Sequence, residues 1–277
     1  MFPVITSLAN QRVKDAVKLR KTRERHSTGR FLIDGLREIQ RALVAGISFH
    51  EVFVLESHIA APALVPLLED LEKRRIAIWP VVEPVFAKIR FGNRCDGIVA
   101  VANPPEKPLS GIILPPCPLI CVLEGTEKPG NIGAVFRSAD GAGLDAVVVT
   151  NLSADLWNTS AIRSSLGTVF NMPFAISDNP IPWLRQNVLA IAAAHCDGSI
   201  PYTEFDFRQP CAIVLGAEAT GLTKRWQQSE GVQSIRLPMH GIADSLNISV
   251  AAAVLFYHAR LQRTQSHAQE HGFVGEL

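Results

Sequence analysis

Three polar segments follow directly after apolar runs, and they carry the residues whose types and spacing could serve a chemical reaction. These segments are EGTEKPGNIGAVFRSADGAG at 124–143, LGAEATGL at 215–222 and LPMHGIADSLNISVAAAVLFY at 237–257. Their glycines permit tight turns and let the backbone approach a ligand closely. Because ligands bind at the carboxyl ends of the strands in a parallel sheet, we expect the three segments to form one ligand-binding site.

The first segment does not have the residues that bind nucleotide phosphates. Gly125 and Gly130 have the spacing of a P-loop, but Asn131 and Ile132 stand where a P-loop requires lysine and then serine or threonine. The segment also lacks the G-x-G-x-x-G sequence of a dinucleotide site. These observations argue against a kinase and against a nucleotide-dependent oxidoreductase.

Arg137 is the residue of the first segment with the clearest chemical potential. Ile132, Val135, Phe136 and Ala139 are spaced as one apolar face of a helix, and Arg137 falls beside that face. Its guanidinium is therefore free to reach a charged ligand, although the position also suits an ordinary surface arginine.

The other two segments also allow a structural interpretation beside the chemical one. Glu218 is enclosed by glycines, which fits a loop that approaches a ligand and also fits an ordinary turn between a strand and a helix. Asp244 or Ser245 can cap a last helix that we predict from about Leu246 to beyond Arg260. A polar cluster directly before so apolar a helix nevertheless favours a ligand site.

The charge of the chain is concentrated near its N-terminus. The net charge of the 277 residues is only +1, but residues 11–41 contain ten basic and four acidic side chains, a local net charge of +6. Such a patch can neutralise several phosphates of a nucleic acid, and it also fits a solvated helix face. The residues that we predict to contact the nucleic acid are Arg12, Lys14, Lys18, Lys21 and Arg30.

The cysteines and the apolar segments bear on the compartment and on metal binding. Five cysteines without a C-x-x-C pair argue against a disulfide framework and against a structural zinc site, and no His/Cys ligand cluster is visible. The N-terminus does not have the pattern of a signal peptide, and the apolar segment Ile248–Tyr257 is about half the length of a membrane span. We therefore predict a cytoplasmic protein without a metal and without a membrane partner.

The order of apolar runs predicts two α/β domains. Residues 1–102 form the first, residues 103–118 form a proline-rich linker, residues 119–265 form the second, and residues 266–277 form a polar tail. The strand candidates of the second domain are apolar throughout, as in a parallel sheet that is covered by helices on both faces. All strand candidates together are 31–33, 52–55, 76–79, 97–102, 119–123, 146–149, 188–194, 212–216 and 234–237.

Three motifs occur in order along the second domain. N-x-G-A-x-x-R-S-A is present at Asn131, Gly133, Ala134, Arg137, Ser138 and Ala139. G-x-E-x-x-G is present at Gly216, Glu218 and Gly221, and P-M-x-G-x-x-x-S-L-N-x-S at Pro238, Met239, Gly241, Ser245, Leu246, Asn247 and Ser249. An R-x-S-x-G sequence lies between them at Arg163, Ser165 and Gly167. In this order and separation, over about residues 118–260, they resemble the SPOUT class of methyltransferases, specifically its SpoU/TrmH family of RNA ribose methyltransferases.

The resemblance implies a fold, a cofactor and an assembly. The C-terminal segment of the parallel-sheet domain would be threaded into a deep trefoil knot, and two copies of the chain would form a homodimer around the knots. S-adenosylmethionine would be held, mostly through backbone groups and apolar contacts, by Leu215, Gly216, Leu237, Met239 and Leu246. The N-terminal half is similar, more loosely, to a small ribosomal-protein-like α/β substrate domain, through FLIDGLREIQRAL at 31–43.

The reaction that the resemblance implies is methyl transfer from S-adenosylmethionine to a ribose 2′-hydroxyl of RNA. Arg137 would be the first catalytic residue, with Asn131, Ser245 and Asn247 orienting it, the ribose and the cofactor, while Glu218 would fix Arg137 or the loop. Because a guanidinium hardly loses its proton in proteins, we expect Arg137 to act as a fixed cation beside the phosphate and the developing alkoxide rather than as a general base.

Several alternatives remain open in the sequence. A catalytically silent RNA-binding protein of the same fold would need none of the polar motif residues, which argues against it. Ribose methylation is favoured over base methylation by the S-L-N of the third motif, and ribosomal RNA is favoured over transfer RNA by the N-terminal domain. The sequence does not identify the target nucleotide, an antibiotic-resistance role, whether the RNA is naked or assembled, or whether both sites of a dimer are active.

Overall fold

The chain forms two compact units, each with its own sheet. The computed structural model describes the backbone of residues 2–92, 96–151 and 154–271, with side chains up to Gln265. The first unit contains Met1–Glu106 and Asp155–Asn171, and the second contains Lys107–Ala154 and Met172–Leu277.

The first unit is an α/β domain with a mixed sheet. Its elements are α1 (Gln11–Lys18), α2 (Thr22–Thr28), β1 (Phe31–Asp34), α3 (Leu36–Val44), β2 (Phe49–Leu55), α4 (Val65–Lys73), β3 (Ala77–Val81), α5 (Glu83–Ile89) and β4 (Ile98–Ala102). The strand order is β1-β4-β2-β3, where β4 is antiparallel to both neighbours and β2 is parallel to β3. All four predicted strands are therefore present. Apolar residues of this sheet such as Phe53 and Val99 are fully buried in one core with residues of α1 and α5. Burial of this apolar surface stabilises the packing of the two helices on the sheet.

The second half of the chain contains the larger, parallel sheet. Its elements are β5 (Leu119–Glu124), α6 (Pro129–Gly141), β6 (Ala146–Thr150), α7 (Thr159–Ser164), α8 (Thr168–Asn171), β7 (Phe174–Ile176), α9 (Ile181–Asn187), β8 (Ala190–Ala194), β9 (Ile200–Pro201), β10 (Cys211–Leu215), α10 (Lys224–Gln227), β11 (Val232–Arg236) and α11 (Ile248–His271). The strand order is β7-β6-β5-β10-β8-β11-β9, and every pairing is parallel. The prediction of a parallel sheet is confirmed, while the short edge strands β7 and β9 were not predicted.

The segment Asp155–Asn171, which carries α7 and α8, belongs to the first unit, although its position in the chain placed it in the predicted second domain. Asp155 forms a buried ion pair with Arg25, with 2.5 Å between Oδ2 and Nε. The ring of Phe31 packs on Trp157, with 4.8 Å between the centroids, and on Phe170. Burial of Phe31, Phe170 and the ion pair holds this segment in the first unit. No local sequence pattern reports contacts over such distances along the chain.

The last helix, α11, packs along α6 in the second unit. Arg263 is buried on this helix, and its guanidinium donates hydrogen bonds to the carbonyl oxygens of Cys117, Pro118 and Phe207. The backbone is helical as far as His271, so the predicted polar tail begins inside the helix, and residues 272–277 lie outside the described part. No helix in the described part of the chain is long and apolar enough to cross a bilayer.

Candidate active site

The carboxylate of Glu218 joins the three polar segments. Its Oε1 atom accepts hydrogen bonds from Nδ2 of Asn131 over 2.7 Å and from Nδ2 of Asn247 over 2.5 Å. Its Oε2 atom accepts a hydrogen bond from Nζ of Lys128 over 2.6 Å and forms an ion pair with it. This bond lowers the pKa of Glu218 and raises the pKa of Lys128, so both groups are charged at neutral pH.

Asn247 connects this network to the start of α11. Its Oδ1 atom accepts hydrogen bonds from the backbone N–H of Ser249 over 3.0 Å and from the Ser249 hydroxyl over 2.6 Å. The helix begins at Ile248, so the predicted cap at Asp244 or Ser245 is wrong. Because the Oδ1 atom is used by the helix, the Nδ2 atom of Asn247 is directed to Glu218.

A cavity of about 780 Å³ lies beside this network in the second unit. All five predicted cofactor residues line it, namely Leu215, Gly216, Leu237, Met239 and Leu246, together with Ser245 and Glu218. Its volume lies in the range of small-molecule sites. The lining fits S-adenosylmethionine, because it offers apolar side chains for an adenine ring and exposed backbone groups for its edge.

Gly216 shows why this loop needs a glycine. A Cβ atom at this position would lie only 2.4 Å from the carbonyl carbon of Gly221, where the two ends of the loop meet in a single β-bridge between Ala217 and Gly221. Two backbone segments therefore touch at the wall of the cavity without a side chain between them.

The lining of the cavity also contains residues that the motifs did not identify. These are the turn from His195 to Asp197 and Arg236. His195 donates its backbone N–H to the Ile235 carbonyl over 2.9 Å, and Arg236 donates to the Gly198 carbonyl over 2.7 Å, so the turn is fixed to β11. Although histidine, cysteine and aspartate can ligate metals, no group of three or more such side chains in the described part is arranged to hold one. The turn follows directly after the apolar run 188–194, and this position is the sequence feature that could have indicated its place in the cavity lining.

Arg137 lies apart from the network of Glu218. It is an exposed residue of α6, and its side chain makes no hydrogen bond or ion pair with any described residue. The predicted contacts from Asn131, Ser245 and Asn247 to Arg137 are therefore not formed in the single chain. Glu218 fixes the loops rather than Arg137, whose guanidinium remains available to an incoming ligand.

An ion pair with a buried carboxylate, which no motif indicates, connects the loops at the strand ends. Glu124, the last residue of β5, is 1% exposed, and its Oε1 atom lies 2.6 Å from Nη2 of Arg225. Glu124 also accepts hydrogen bonds from the N–H and the hydroxyl of Thr223, while Arg225 donates to the Thr150 hydroxyl. The pair thus joins the ends of β5 and β6 to the loop after β10. The only sequence feature that indicates it is a carboxylate at the end of an apolar strand.

The predicted RNA-binding cations of the first unit differ in their partners. Arg12 pairs with Glu51 over 2.8 Å and stacks on Trp79, and Lys18 pairs with Asp15 over 2.9 Å. By contrast, the exposed side chains of Lys14 and Lys21, like that of half-buried Arg30, have no hydrogen bond or ion pair within the described residues. These last three are the cations that are free to meet phosphates.

Comparisons with protein families match both halves of the chain. Residues 118–257 match the model of the SpoU rRNA Methylase family. Residues 10–100 match the model of the MRM3-like substrate binding domain. The two matches fall on the large sheet with its motif loops and on the small sheet with its basic helices.

Individual proteins are similar over almost the whole chain. The 23S rRNA (guanosine(2553)-2'-O)-methyltransferase RlmP of Bacillus subtilis (strain 168) is 30% identical, over 92% of this chain and 98% of that protein. A solved RNA 2'-O ribose methyltransferase is 39% identical with a TM-score of 0.81, covering 95% of this chain and 100% of the other. An AdoMet-bound rRNA methyltransferase from Sinorhizobium meliloti is 26% identical with a TM-score of 0.83, covering 94% of this chain and 97% of the other.

Proposed function

Since the chain belongs to the SpoU rRNA methylase family, we propose that it transfers the methyl group of S-adenosylmethionine to a ribose 2′-hydroxyl of ribosomal RNA. The observation that carries the proposal is the meeting of the three motif segments at Glu218, beside a cavity that fits the cofactor. The names of the similar proteins support both the ribose as acceptor and ribosomal RNA as substrate.

The cofactor would occupy the 780 Å³ cavity. Its apolar wall of Leu215, Leu237, Met239 and Leu246 would contact the adenine, and the backbone at Gly216 would bind the polar edge of the ring. The bound cofactor supplies a methyl group on a sulfonium, which is already activated for transfer. The protein must therefore position the ribose and favour the loss of its hydroxyl proton.

The polar residues of the site would perform this positioning. Asn131 and Asn247 are held by Glu218, so their side chains need no rearrangement when the RNA binds. Arg137 would pair with the phosphate beside the target nucleotide and stabilise negative charge that develops on the 2′-oxygen. Ser245 lines the cofactor cavity and would orient the ribose or the cofactor by a hydrogen bond.

The assembly would be a homodimer. On α11, Val250, Tyr257 and Leu261 are 48%, 55% and 53% exposed and stand at helical spacing, so they form one uncovered apolar stripe. A second copy of the chain would cover this stripe. The deep trefoil knot that the motif resemblance implies is likewise a proposal, supported by the match of residues 118–257 to the SpoU rRNA Methylase family.

The first unit would hold the RNA. Lys14, Lys21 and Arg30 would contact phosphates directly. Arg12 and Lys18 would first have to break their ion pairs with Glu51 and Asp15. A likeness of this unit to a ribosomal protein and a cytoplasmic location both stay predictions from the sequence.

The experiment that tests the function is methyl transfer from labelled S-adenosylmethionine to separated, unmodified ribosomal and transfer RNA. We expect label in ribosomal RNA at a site that resists alkaline cleavage, because a 2′-O-methyl group removes the nucleophile of that cleavage. Label at an alkali-cleavable site would indicate base methylation. Label in transfer RNA alone would mean that the substrate is transfer RNA rather than ribosomal RNA. Without label and without cofactor binding, the chain would be a silent RNA-binding protein.

A further inference from the structure

A second, smaller cavity adjoins the cofactor cavity in the second unit. It has a volume of about 210 Å³ and is lined by Thr126, Glu127, Lys128, Asn131, Glu218 and Ala219. Glu218 and Ala219 also line the 780 Å³ cavity, so the two cavities share one wall. A group bound in the smaller cavity would therefore lie next to the bound cofactor.

The hydroxyl of Thr126 has no hydrogen-bond partner among the described residues. Thr126 is 3% exposed, and its Oγ1 atom is buried without a donor or acceptor. A buried hydroxyl without a partner destabilises a folded protein, so most such groups in proteins are paired. Thr126 lines the small cavity, so a group bound there can supply the missing hydrogen bond.

The chemistry of the lining favours a neutral group rich in hydroxyls. Glu127, Glu218 and Lys128 together have a net charge of −1, which disfavours a phosphate. Carboxylates, an amide and a hydroxyl are suitable partners for sugar hydroxyls. A volume of about 210 Å³ is enough for one sugar ring.

We propose that the smaller cavity is the acceptor subsite, where the Thr126 hydroxyl and the Glu218 carboxylate bind the ribose of the target nucleotide. Lys128 is a positioning residue that holds Glu218 over 2.6 Å from the rim of the cavity. Within an RNA chain the 2′-hydroxyl is the only free hydroxyl of each ribose, so this is the group that Thr126 meets. The inference rests on the proposed function and adds to it two residues, Thr126 and Lys128, that none of the motifs contains.

The test compares Thr126→Val, which keeps the shape and removes the hydroxyl, with Thr126→Ser, which keeps the hydroxyl. Two short RNAs are used that carry the mapped target nucleotide either as ribose or as 2′-deoxyribose, and their affinities are measured with cofactor present. We expect the wild type to bind the ribose form roughly 3- to 10-fold more tightly, Thr126→Val to lose this preference, and Thr126→Ser to keep it. The exposed Thr203→Val is the matched control and should behave as the wild type.

A second readout separates binding from folding. Because Thr126→Val removes an unpaired buried hydroxyl, we expect its Tm to rise by about 2–4 °C while kcat/KM for RNA falls and the affinity for S-adenosylmethionine stays unchanged. An unchanged ribose preference in Thr126→Val would overturn the inference, and so would a loss of cofactor affinity at unchanged KM for RNA. Methylation by the wild type is measured in the same assay, so a failure of the proposed function is visible separately.

For Lys128, the variant Lys128→Gln should raise KM for RNA more than it changes kcat, since Glu218 loses its ion-pair partner. Lys128→Arg should have a KM for RNA close to that of the wild type, because it keeps the ion pair. Equal KM values in the wild type and in Lys128→Gln would contradict a positioning role.

Discussion

Asn131 donates its side-chain N–H to Oε1 of Glu218 over 2.7 Å, although 87 residues separate the two along the chain. Asn247 donates to the same oxygen atom. One carboxylate therefore fixes the relative positions of three loops that each follow a different element of the second unit. This arrangement makes the site rigid before any ligand binds, and electrostatic catalysis depends on such preorganisation.

Replacement of this carboxylate should reduce activity without unfolding the protein. Glu218→Gln removes the charge that receives three donors, and we expect kcat to fall about 10- to 100-fold, since hydrogen bonds to charged groups contribute about 1.5–3 kcal/mol each. The measurement is single-turnover methyl transfer at saturating cofactor. Wild-type turnover in Glu218→Gln would contradict the role of the carboxylate.

The same variant gives a prediction for the pH dependence of stability. The Lys128 hydrogen bond lowers the pKa of Glu218 below its ordinary value of 4.5, so its stabilising contribution is complete above that pH and is lost as the pH falls through the folded-state pKa. The Tm difference between the wild type and Glu218→Gln should therefore be largest at neutral pH and should shrink in acid. A Tm difference that grows below pH 4 would contradict a lowered pKa of Glu218 in the folded protein.

The ion pair between Glu124 and Arg225 should matter for stability. Glu124→Ala leaves the partly exposed Arg225 guanidinium without its carboxylate partner, and we expect the free energy of unfolding to fall by about 1.5–3 kcal/mol. Urea denaturation measures this loss, with the exposed Glu204→Ala as control. A loss below 1 kcal/mol would mean that water replaces the carboxylate without cost.

The apolar stripe of α11 predicts the oligomeric state. A glutamate at Val250 or Leu261 would place a charge in the proposed dimer interface, so we expect these variants to be monomers at concentrations where the wild type is a dimer. Sedimentation equilibrium gives the masses, and Val44→Glu, at a more exposed apolar position of the first unit, is the control. A monomeric wild type at high micromolar concentration would refute the homodimer.

The free cations of the first unit should dominate the salt dependence of RNA binding. Lys14→Ala combined with Lys21→Ala should lower the slope of log K against log salt by about 1–2, because each removes a phosphate contact. The pair Arg12→Ala and Lys18→Ala should have a smaller effect, since Glu51 and Asp15 already neutralise these side chains. Equal effects of both pairs would show that the carboxylates do not compete with RNA.

Much of this site could be predicted from the sequence because strand ends in a parallel sheet meet at one edge. The apolar runs of the sequence located β5, β8, β10 and β11. Because the motif segments come directly after such runs, they were expected at the carboxyl ends of the strands. The meeting of Asn131, Glu218 and Asn247 is consistent with that rule. The cofactor roles of the cavity residues remain predictions.

Other features depend on contacts that no local pattern encodes. Glu124 and Arg225 pair across 101 positions of the chain, and Asp155 pairs with Arg25 in the first unit. The start of α11 was also misplaced, because Asp244, Ser245 and Asn247 are all good helix caps and only the three-dimensional network selects Asn247. Such choices are decided by tertiary contacts rather than by local preference.

The most direct measurement is nucleoside mass analysis of ribosomal RNA after reaction with the wild type and with Arg137→Ala, each with its cofactor affinity measured by calorimetry. We expect a 2′-O-methylated nucleoside with the wild type. With Arg137→Ala we expect turnover roughly 100- to 1,000-fold lower and nearly unchanged affinity for S-adenosylmethionine, because Arg137 lies outside the cofactor cavity. A base-methylated nucleoside would contradict the proposed reaction, and full activity of Arg137→Ala would contradict the proposed role of Arg137.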